Sequence, residues 1–233
     1  MSTPQHIAII MDGNRRWARR HGLEIVQGHR KMTDEMIERL VDHAILRGVK
    51  YLTLWGFSTE NWNRSPKEVD DLMMLFRELF TRNAQPLHEK GVRINHLGDP
   101  SRFAPDIQEQ MAYWQEKTKN NQTITVSLAL NYGGRDEILR AVQKITKEVK
   151  VGNLDPDQKM DVAAFSSYLD THDLPDPEII IRPGGEKRLS GFLLWQMEYA
   201  ELYFPDVLMP DFDEKQLDLV IDDFEKRSRR FGK

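Results

Sequence analysis

Four short segments of this sequence combine arginine, glycine and side-chain amides, and each follows an apolar run. Arginine presents a planar fork of donors that suits phosphate oxygens, and glycine lets backbone amides approach the same oxygens closely. In open parallel sheets, ligands bind beyond the carboxyl ends of the strands, where such segments would lie. Their residue types therefore predict a polyanionic ligand. The segments are residues 12–17, 58–64, 131–135 and 182–188.

Asp12 stands among these cations at the end of the first apolar run. A carboxylate suits an anionic ligand when a hard cation joins the two, as Mg²⁺ joins one or two carboxylates to substrate phosphates. The combination predicts a site for a diphosphate and Mg²⁺. The sequence contains no GxxxxGK[ST], GxGxxG, HExxH or GxSxG motif. Nucleotide chemistry is therefore disfavoured, and a zinc peptidase or a serine hydrolase has no support.

The net charge of -4 and the absence of cysteine narrow the possible functions. Nucleic-acid-binding proteins usually carry a net basic surface, so no nucleic-acid partner is expected. Without cysteine there is no disulfide, thiolate metal site or cysteine nucleophile. The amino terminus has no basic region before a long apolar run, and no stretch approaches the ~18 apolar residues of a membrane span. We expect a cytoplasmic protein with at most peripheral membrane contact.

Five short apolar runs rich in β-branched and aromatic residues predict buried strands. They are residues 7–11, 51–57, 92–97, 123–130 and 178–181. Segments with helical spacing separate them, and no low-complexity linker divides the chain. This alternation predicts parallel strands joined by right-handed helical crossovers. The expected architecture is a single α/β domain over residues 1–233, with a central, mostly parallel sheet surrounded by helices.

Three helices have recognisable ends or faces. The apolar face of residues 36–45 precedes Gly48, which would end that helix in a left-handed conformation. Residues 65–68, Ser-Pro-Lys-Glu, predict a helix start with a capping box, and the apolar stripe that follows is wider than one sheet contact needs. The last helix is expected over about residues 213–229, with a basic end that suits the helix dipole at Arg227, Arg229 and Arg230.

Motifs along nearly the whole chain resemble those of the cis-prenyltransferase family, in the family's order. They are HIAIIMDGNRRW (6–17), GH (28–29), FSTENWNR (57–64), NYGGR (131–135), IRPGGEKRLS (181–190), FLLWQ (192–196) and ELYF (201–204). The resemblance implies a homodimeric, Mg²⁺-dependent enzyme that condenses isopentenyl diphosphate onto an allylic diphosphate, such as farnesyl diphosphate, with cis double bonds. The implied product is a long-chain polyprenyl diphosphate such as undecaprenyl diphosphate.

The resemblance also implies roles for individual residues. Asp12 matches the aspartate that chelates Mg²⁺ and assists departure of the allylic diphosphate, and Glu201 matches a second metal carboxylate supplied around the dimer interface. Asn61 matches a residue linked to proton removal. Because an amide is too weakly basic to hold a proton near neutral pH, we expect it to orient a water or a diphosphate oxygen. The implied substrate-binding residues are Gly13, Asn14, Arg15, Arg16 and Trp17 for the allylic diphosphate, Arg182, Arg188, Leu189 and Ser190 for isopentenyl diphosphate, and His29, Ser58, Thr59, Glu60, Trp62 and Arg64 between them.

Two positions bear on substrate and product. Ile25 stands where the family commonly has an arginine that helps bind the allylic diphosphate, and either Arg15 or Arg30 is expected to compensate. Gly56 leaves room where family members with shorter products often have a bulky side chain, which favours a long product. Half of the wide apolar stripe after Glu68 is expected in the core and the other half along a tunnel for the growing chain.

Three other functions compete with this interpretation. A trans-prenyltransferase uses the same substrates but is all-helical and needs DDxxD motifs, which the acidic pairs at 70–71 and 222–223 do not complete. A catalytically silent subunit of the family would be expected to lose Asp12 or the arginine motif, and this chain has both, so Ile25 is its only support. A short-chain or head-to-middle prenyl synthase would have the same fold and would differ in its product.

Overall fold

The computed structural model describes residues 3–227, and its centre is a six-stranded sheet. The strands are β1 (His6–Ile10), β2 (Tyr51–Ser58), β3 (Val92–Leu97), β4 (Ile124–Tyr132), β5 (Ile179–Ile181) and β6 (Glu201–Tyr203). They lie in the order β3-β4-β2-β1-β5-β6, and every neighbouring pair is parallel. The predicted parallel α/β architecture is confirmed.

The five predicted strands lie within two residues of their expected bounds, whereas β6 was not predicted from the sequence. This strand is three residues long and pairs with β5 at the edge of the sheet. Its central residue, Leu202, is exposed. An edge strand this short contains no buried apolar run, so the pattern that identified the other strands was absent.

Helices alternate with the strands along the chain. They are α1 (Asn14–Arg20), α2 (Ile25–Lys31), α3 (Ile37–Leu46), α4 (Pro66–Glu78), α5 (Ala84–Glu89), α6 (Pro105–Thr118), α7 (Gly134–Lys150), α8 (Val162–Ser166) and α9 (Glu214–Lys226). Side chains alternate along β1, so that Ile7 and Ile9 enter the large core cluster with α3, α4, α6 and α9. Ala8 and Ile10 enter a smaller cluster on the opposite face.

The predicted end of α3 and the predicted start of α9 agree with the structure, whereas α9 ends earlier than predicted. Gly48 follows α3 with φ of +81°, a left-handed conformation that glycine adopts without strain. The helix α9 begins after Asp213, whose side chain accepts a hydrogen bond from the Gln216 N–H at 3.1 Å. It ends at Lys226 rather than 229, and Arg229 and Arg230 lie outside the described residues.

The start of α4 is confirmed in part. Ser65 Oγ accepts from the Glu68 N–H at 3.4 Å, and Pro66 is the first helical residue. The Glu68 carboxylate does not complete the predicted capping box, because it pairs instead with Arg64 at 2.8 Å. One π-helical turn, residues 79–83, joins α4 to α5.

A membrane span was not expected from the sequence. Among residues 3–227, no helix has both the length and the apolar character needed to cross a membrane.

Candidate active site

The carboxyl ends of β1, β2 and β5 bring polar side chains from three of the four predicted segments around one cavity. This cavity, termed the inner cavity, has a volume of about 200 Å³. Its polar lining is Asp12, His29, Ser58, Asn61, Arg64, Arg182 and Ser190, and its apolar lining is Ile10, Met11, Trp55, Gly56 and Phe57.

A second cavity of about 310 Å³ adjoins the inner cavity and is lined largely by cations. We term it the outer cavity. The two cavities share Met11, Asp12, His29 and Arg64. The other residues of the outer cavity are Gly13, Asn14, Arg15, Arg16 and Arg19. Because arginines lie on both sides of Asp12, the site can hold two anionic groups next to one carboxylate.

Asp12 lies two residues after the end of β1 and accepts three hydrogen bonds. Its Oδ2 accepts from Arg182 Nε at 3.1 Å and Nη2 at 2.8 Å, and its Oδ1 accepts from the Gly13 N–H at 2.6 Å. Arg16 Nη2 lies 3.8 Å from Oδ1, and 30% of the Asp12 side chain is exposed. The carboxylate is therefore oriented by its neighbours and still accessible from both cavities.

Gly13 makes the corner between β1 and α1. Its φ of +99° lies in the left-handed region, and a Cβ built there would lie 2.9 Å from the Leu208 side chain. Asn14 Nδ2 donates to the Met11 carbonyl oxygen at 2.9 Å and closes the corner. Both the backbone conformation and the contact with Leu208 therefore require glycine, and this corner places Asp12 where the two cavities meet.

Arg19 lines the outer cavity but was not predicted as a site residue. It lies one helical turn after Arg15, and residues four apart share a helix face. That spacing was the available signal. The Arg15 and Arg16 side chains are 44% and 39% exposed, so these cations of the outer cavity remain accessible to solvent.

The structure distinguishes the two residues proposed to compensate for Ile25. Arg30 is paired with Glu78, with Nη2 donating to Oε1 at 3.2 Å and Nη1 to the other carboxylate oxygen. Arg15 lines the outer cavity. Arg15 is thus the residue positioned to provide a cation there.

His29 on α2 forms part of the wall shared by the two cavities. Burial, reinforced by the charges of Arg64 and Arg15, lowers its pKa from 6.5 to about 4, so the ring is neutral at pH 7. Its Nε2 is buried and has no hydrogen-bond partner within residues 3–227. Buried polar atoms nearly always have partners, so this nitrogen is suited to a ligand.

Arg182 follows β5 and is 6% exposed. In addition to Asp12, its Nη1 donates to Ser190 Oγ at 2.9 Å and to the Arg188 carbonyl oxygen at 2.5 Å. Ser190 has φ of +52°, an uncommon conformation for a residue other than glycine. The Arg188 side chain is 61% exposed, pairs with Glu186 and lies outside both cavities.

The segment after β2 contributes Ser58, Asn61 and Arg64 to the inner cavity. A short 3₁₀ helix, residues 59–63, contains Asn61, whose Oδ1 accepts from the Ser58 N–H at 3.1 Å. Glu68 Oε1 accepts from Arg64 Nη1 at 2.8 Å and lies 3.5 Å from Arg15 Nε. Glu68 therefore links an arginine of the inner cavity to one of the outer cavity.

Besides Arg188 and Glu201, five predicted residues line neither the inner nor the outer cavity. Thr59 and Glu60 line a third cavity of about 360 Å³, together with residues 133–136, Gly191 and Leu194. Ser190 belongs to both this cavity and the inner one. The remaining three are packed elsewhere: Trp17 against Leu208, Leu189 against the smaller core cluster, and Trp62 with its indole N–H donating to Asn131 Oδ1 at 2.8 Å.

Within one chain, the predicted metal carboxylates Asp12 and Glu201 lie at opposite ends of the sheet. Glu201 is level with Ile179 on β5, which is level with Ile7 near the start of β1. Asp12 lies beyond the other end of β1, at least ~10 Å along the strands and two strand spacings, ~10 Å, across the sheet. The Glu201 carboxylate instead pairs with Arg227 at 2.6 Å.

The donor groups fit Mg²⁺ only as an ion shared with a ligand. Within residues 3–227, no group of three or more His, Cys, Asp or Glu side chains lies close enough to hold a metal. Asp12 provides one accessible carboxylate beside cavities suited to anions. Mg²⁺ commonly binds through one or two carboxylates and substrate phosphates, so the site suits a magnesium–diphosphate complex rather than a metal held by protein alone.

A small apolar cavity of about 10 Å³ lies between the sheet and the helices, and Leu79 and Phe80, at the end of the apolar stripe, line it. The lining residues are Ile37, Leu79, Phe80, Ala84, Leu87, Ile94, Val126 and Leu128. Leu72, Leu75 and Phe76 pack in the same large core cluster without lining this cavity. Gly56 lines the inner cavity, where an added Cβ would lie 3.0 Å from Leu130 and 3.1 Å from Met11.

Residues 10–232 match the family model described as "Putative undecaprenyl diphosphate synthase", and the chain belongs to this family of cis-prenyltransferases. An isoprenyl transferase from Clostridium perfringens is 46% identical over 98% of this chain and 90% of its own length. A ditrans,polycis-undecaprenyl-diphosphate synthase, (2E,6E)-farnesyl-diphosphate specific, from Xanthomonas axonopodis is 43% identical over 99% of this chain and 89% of its own length.

A solved structure supports the same fold. The crystal structure of lavandulyl diphosphate synthase from Lavandula x intermedia, in complex with dimethylallyl diphosphate, matches with a TM-score of 0.94 and 36% sequence identity. The match covers 99% of each chain. The all-helical trans-prenyltransferase alternative is therefore wrong for this protein, since its sheet and its relatives are those of cis-prenyltransferases.

Proposed function

We propose that this chain condenses isopentenyl diphosphate units onto farnesyl diphosphate with cis double bonds and releases a long-chain polyprenyl diphosphate such as undecaprenyl diphosphate. The observation that carries the proposal is the position of Asp12 between two adjoining cavities lined by arginines. A condensation of two diphosphates needs two anion sites side by side. The names of the family and of its farnesyl-specific member support this reaction.

The outer cavity would bind the allylic diphosphate. Arg15, Arg16 and Arg19 provide its cations, and the Gly13–Asn14 corner forms its floor. Negative charge grows on this diphosphate as the allylic C–O bond breaks. Cations already in place stabilise that charge without reorganisation, so they lower the barrier for this step.

The inner cavity would bind isopentenyl diphosphate. Arg182 and Ser190 are oriented by their mutual hydrogen bond, and Arg188 would reach the same diphosphate from its exposed position. Holding the double bond near the allylic carbon converts a bimolecular encounter into a step within one complex. Such positioning contributes a large share of the rate in condensations of this kind.

Asp12 would hold Mg²⁺ together with diphosphate oxygens. Bound there, Mg²⁺ would offset the charge on the departing diphosphate. The predicted metal role of Glu201 requires a second copy of the chain, because its own Asp12 lies at the far end of the sheet. We accordingly propose a homodimer. The exposed Leu202 at the edge strand, 38% accessible, supports a contact on that side.

A diphosphate oxygen is the proton acceptor that this site favours. After the new C–C bond forms, a proton must leave the carbon next to the cationic centre. With a pKa of about 4, His29 is a weak base at pH 7, and the Asn61 amide is weaker still. Asn61 would orient the accepting oxygen, or a water beside it, by donating through Nδ2.

Synthesis of a shorter product is a second candidate function, and two observations support it. The apolar cavity has room for little more than one water molecule, and the structure resembles that of lavandulyl diphosphate synthase. A long product would require α3, α4 and α5 to move away from the sheet. The absence of a side chain at Gly56, which lines the inner cavity, favours the long product.

The test is an incubation of the purified chain with farnesyl diphosphate, labelled isopentenyl diphosphate and Mg²⁺, with products resolved by chain length. We expect long cis-polyprenyl diphosphates, and none with Asp12→Ala. A single added unit would support the short-chain candidate. No extension with dimethylallyl, geranyl or farnesyl diphosphate would overturn the proposal in favour of a silent subunit.

A further inference from the structure

Two one-residue bulges interrupt the pairing of β2 with β4 beside the inner cavity. Around them the paired residues are Trp55 with Ala129, Phe57 with Leu130, and Ser58 with Tyr132. Gly56 is therefore an extra residue on β2, and Asn131 is an extra residue on β4. Bulges next to active sites commonly redirect a side chain. Gly56 lines the inner cavity, whereas Asn131 does not. The bulge at Asn131 therefore does not direct its own side chain into the cavity.

The backbone of Asn131 has φ of +51° and the residue is 2% exposed. This left-handed conformation suits glycine, and asparagine is among the few other residues that tolerate it. Glycine would satisfy the backbone with less strain. The backbone conformation alone therefore does not account for asparagine at this position, and its side chain must contribute.

The Asn131 amide joins two loops by its two ends. Its Oδ1 accepts from the Trp62 indole N–H at 2.8 Å, and its Nδ2 donates to the Asp99 carbonyl oxygen at 2.7 Å. The Asp99 N–H lies 3.3 Å from the Asn131 carbonyl oxygen and donates to it. One buried side chain thus ties the 3₁₀ turn of residues 59–63 to the loop after β3.

Trp62 is held on its remaining sides by the same loop. The Arg102 guanidinium lies 4.5 Å from its ring centroid and the Phe103 ring 5.6 Å away, while Phe57 of β2 contacts it edge-on at 5.0 Å. Trp62 follows Asn61 directly and precedes Arg64 by two residues. In so short a turn, a shift of the indole must move the residues beside it.

We propose that Asn131 is a positioning residue for the condensation, which through Trp62 holds Asn61 and Arg64 at the inner cavity. The inference rests on the proposed function. It also gives Trp62 a role that requires no contact with substrate. A displacement of ~1 Å at a reacting centre can lower a rate about 10²-fold, so this support is expected to affect turnover more than binding.

The first experiment compares Asn131→Gly with the unsubstituted enzyme. Glycine keeps the backbone conformation and removes both side-chain hydrogen bonds. We expect kcat to fall roughly 10- to 100-fold, with both KM values changing less than about threefold. Asn131→Asp keeps the acceptor for Trp62 but loses the donor to Asp99, so it should recover part of kcat. A kcat within twofold of the unsubstituted enzyme for Asn131→Gly would overturn the proposal.

Two further variants separate positioning from general loosening. Trp62→Phe removes the indole N–H, and combining it with Asn131→Gly should lower kcat no further than the worse single variant; fully multiplicative effects would contradict action through Trp62. Asn121→Ala is the matched control, because Asn121 Nδ2 donates to the Val92 carbonyl oxygen at 2.7 Å at the opposite end of β3. It should lower Tm and leave kcat unchanged, and an equal loss of kcat would overturn the proposal.

Assaying the unsubstituted enzyme under the same conditions distinguishes a failure of the proposed function from a failure of the proposed role of Asn131. If it does not extend farnesyl diphosphate, the proposed function fails. If it extends the substrate and Asn131→Gly does so equally well, only the role of Asn131 fails.

Discussion

The outer and inner cavities use arginine in two different ways. In the outer cavity, Arg15 and Arg16 are 44% and 39% exposed, and the contact of Arg15 with Glu68 is long at 3.5 Å. In the inner cavity, the Arg182 side chain is 7% exposed and donates to Asp12, to Ser190 and to a backbone carbonyl. Arg15 and Arg16 of the outer cavity are partly solvated, whereas Arg182 of the inner cavity is fixed.

This difference indicates that the arginines of the outer cavity attract an anionic ligand, whereas Arg182 orients one. Solvated cations draw an anion in from a distance and are screened by salt. A buried arginine has already lost its hydration and is held in place by neighbours, so removing a partner leaves an uncompensated charge. We therefore expect substitutions in the outer cavity to act mainly on allylic KM. Substitutions around Arg182 should act on kcat and stability together.

Asp12→Asn should have the largest effect, because Asp12 belongs to both cavities. The change keeps the shape and removes the charge that orients Arg182 and would bind Mg²⁺. We expect kcat to fall by about 10³-fold, comparable to removal of a pre-organised electrostatic group. Initial rates over a range of Mg²⁺ concentrations check this. Asp213→Asn, at the α9 cap, is the matched control and should stay active. A kcat above a tenth of the unsubstituted value would contradict the prediction.

Arg182→Lys should have the next largest effect. Lysine keeps the charge but lacks the fork that reaches Asp12, Ser190 and the Arg188 carbonyl together. We expect kcat/KM for isopentenyl diphosphate to fall about 10²-fold and Tm to fall by several degrees. Steady-state kinetics and thermal denaturation measure both. A variant with lower kcat/KM and unchanged Tm would show that the Arg182 hydrogen bonds do not support the fold.

The position of the site was predictable from the sequence because parallel strands end at one edge of a sheet. Asp12, Arg64 and Arg182 follow three apolar runs, and the structure brings them to one cavity. Which cavity each predicted residue lines was not predictable from the sequence. Thr59 and Trp62 lie in the same 3₁₀ turn as Asn61, yet Thr59 lines a third cavity and Trp62 donates to Asn131.

Local sequence could not reveal that distribution, because it depends on the bulge at Asn131 and on packing against the loop after β3. The family resemblance likewise matched Glu201 to a metal carboxylate without specifying which chain supplies it. Only strand register shows that Glu201 and Asp12 of one chain lie far apart. Arg19 was missed for a different reason, since its one signal was its spacing from Arg15.

Arg15→Ala and Arg19→Ala should have smaller effects that are confined to binding. Each removes a solvated cation, so we expect allylic KM to rise about three- to tenfold while kcat and Tm stay nearly unchanged. Raising the ionic strength should shrink the difference from the unsubstituted enzyme, because salt screens exposed charges. Kinetics at low and high salt test this. A Tm decrease, or an effect that salt does not alter, would show that these arginines are held as firmly as Arg182.

The smallest effect on activity is expected from His6, which has the same lowered pKa as His29 but lies in the core. Its Nδ1–H donates to the Pro175 carbonyl oxygen at 2.6 Å, and its Nε2 accepts from the Thr53 hydroxyl at 2.8 Å, so the neutral ring is fully bonded. Burial lowers the pKa of both histidines from 6.5 to about 4. Between about pH 4 and pH 6.5, these two histidines are therefore protonated in the unfolded chain and neutral in the folded chain.

The free energy of unfolding should therefore be highest above pH 6.5 and decrease as pH falls toward 4, by about 3 kcal/mol for each histidine. His6→Asn should remove the part of this pH dependence that His6 contributes and leave kcat at pH 7.5 unchanged. His29→Asn should remove a similar part and alter the kinetics, because His29 lines both cavities. Urea unfolding at several pH values measures the slopes. Parallel pH profiles for His6→Asn and the unsubstituted enzyme would show that the His6 ring does not stay neutral in the folded protein.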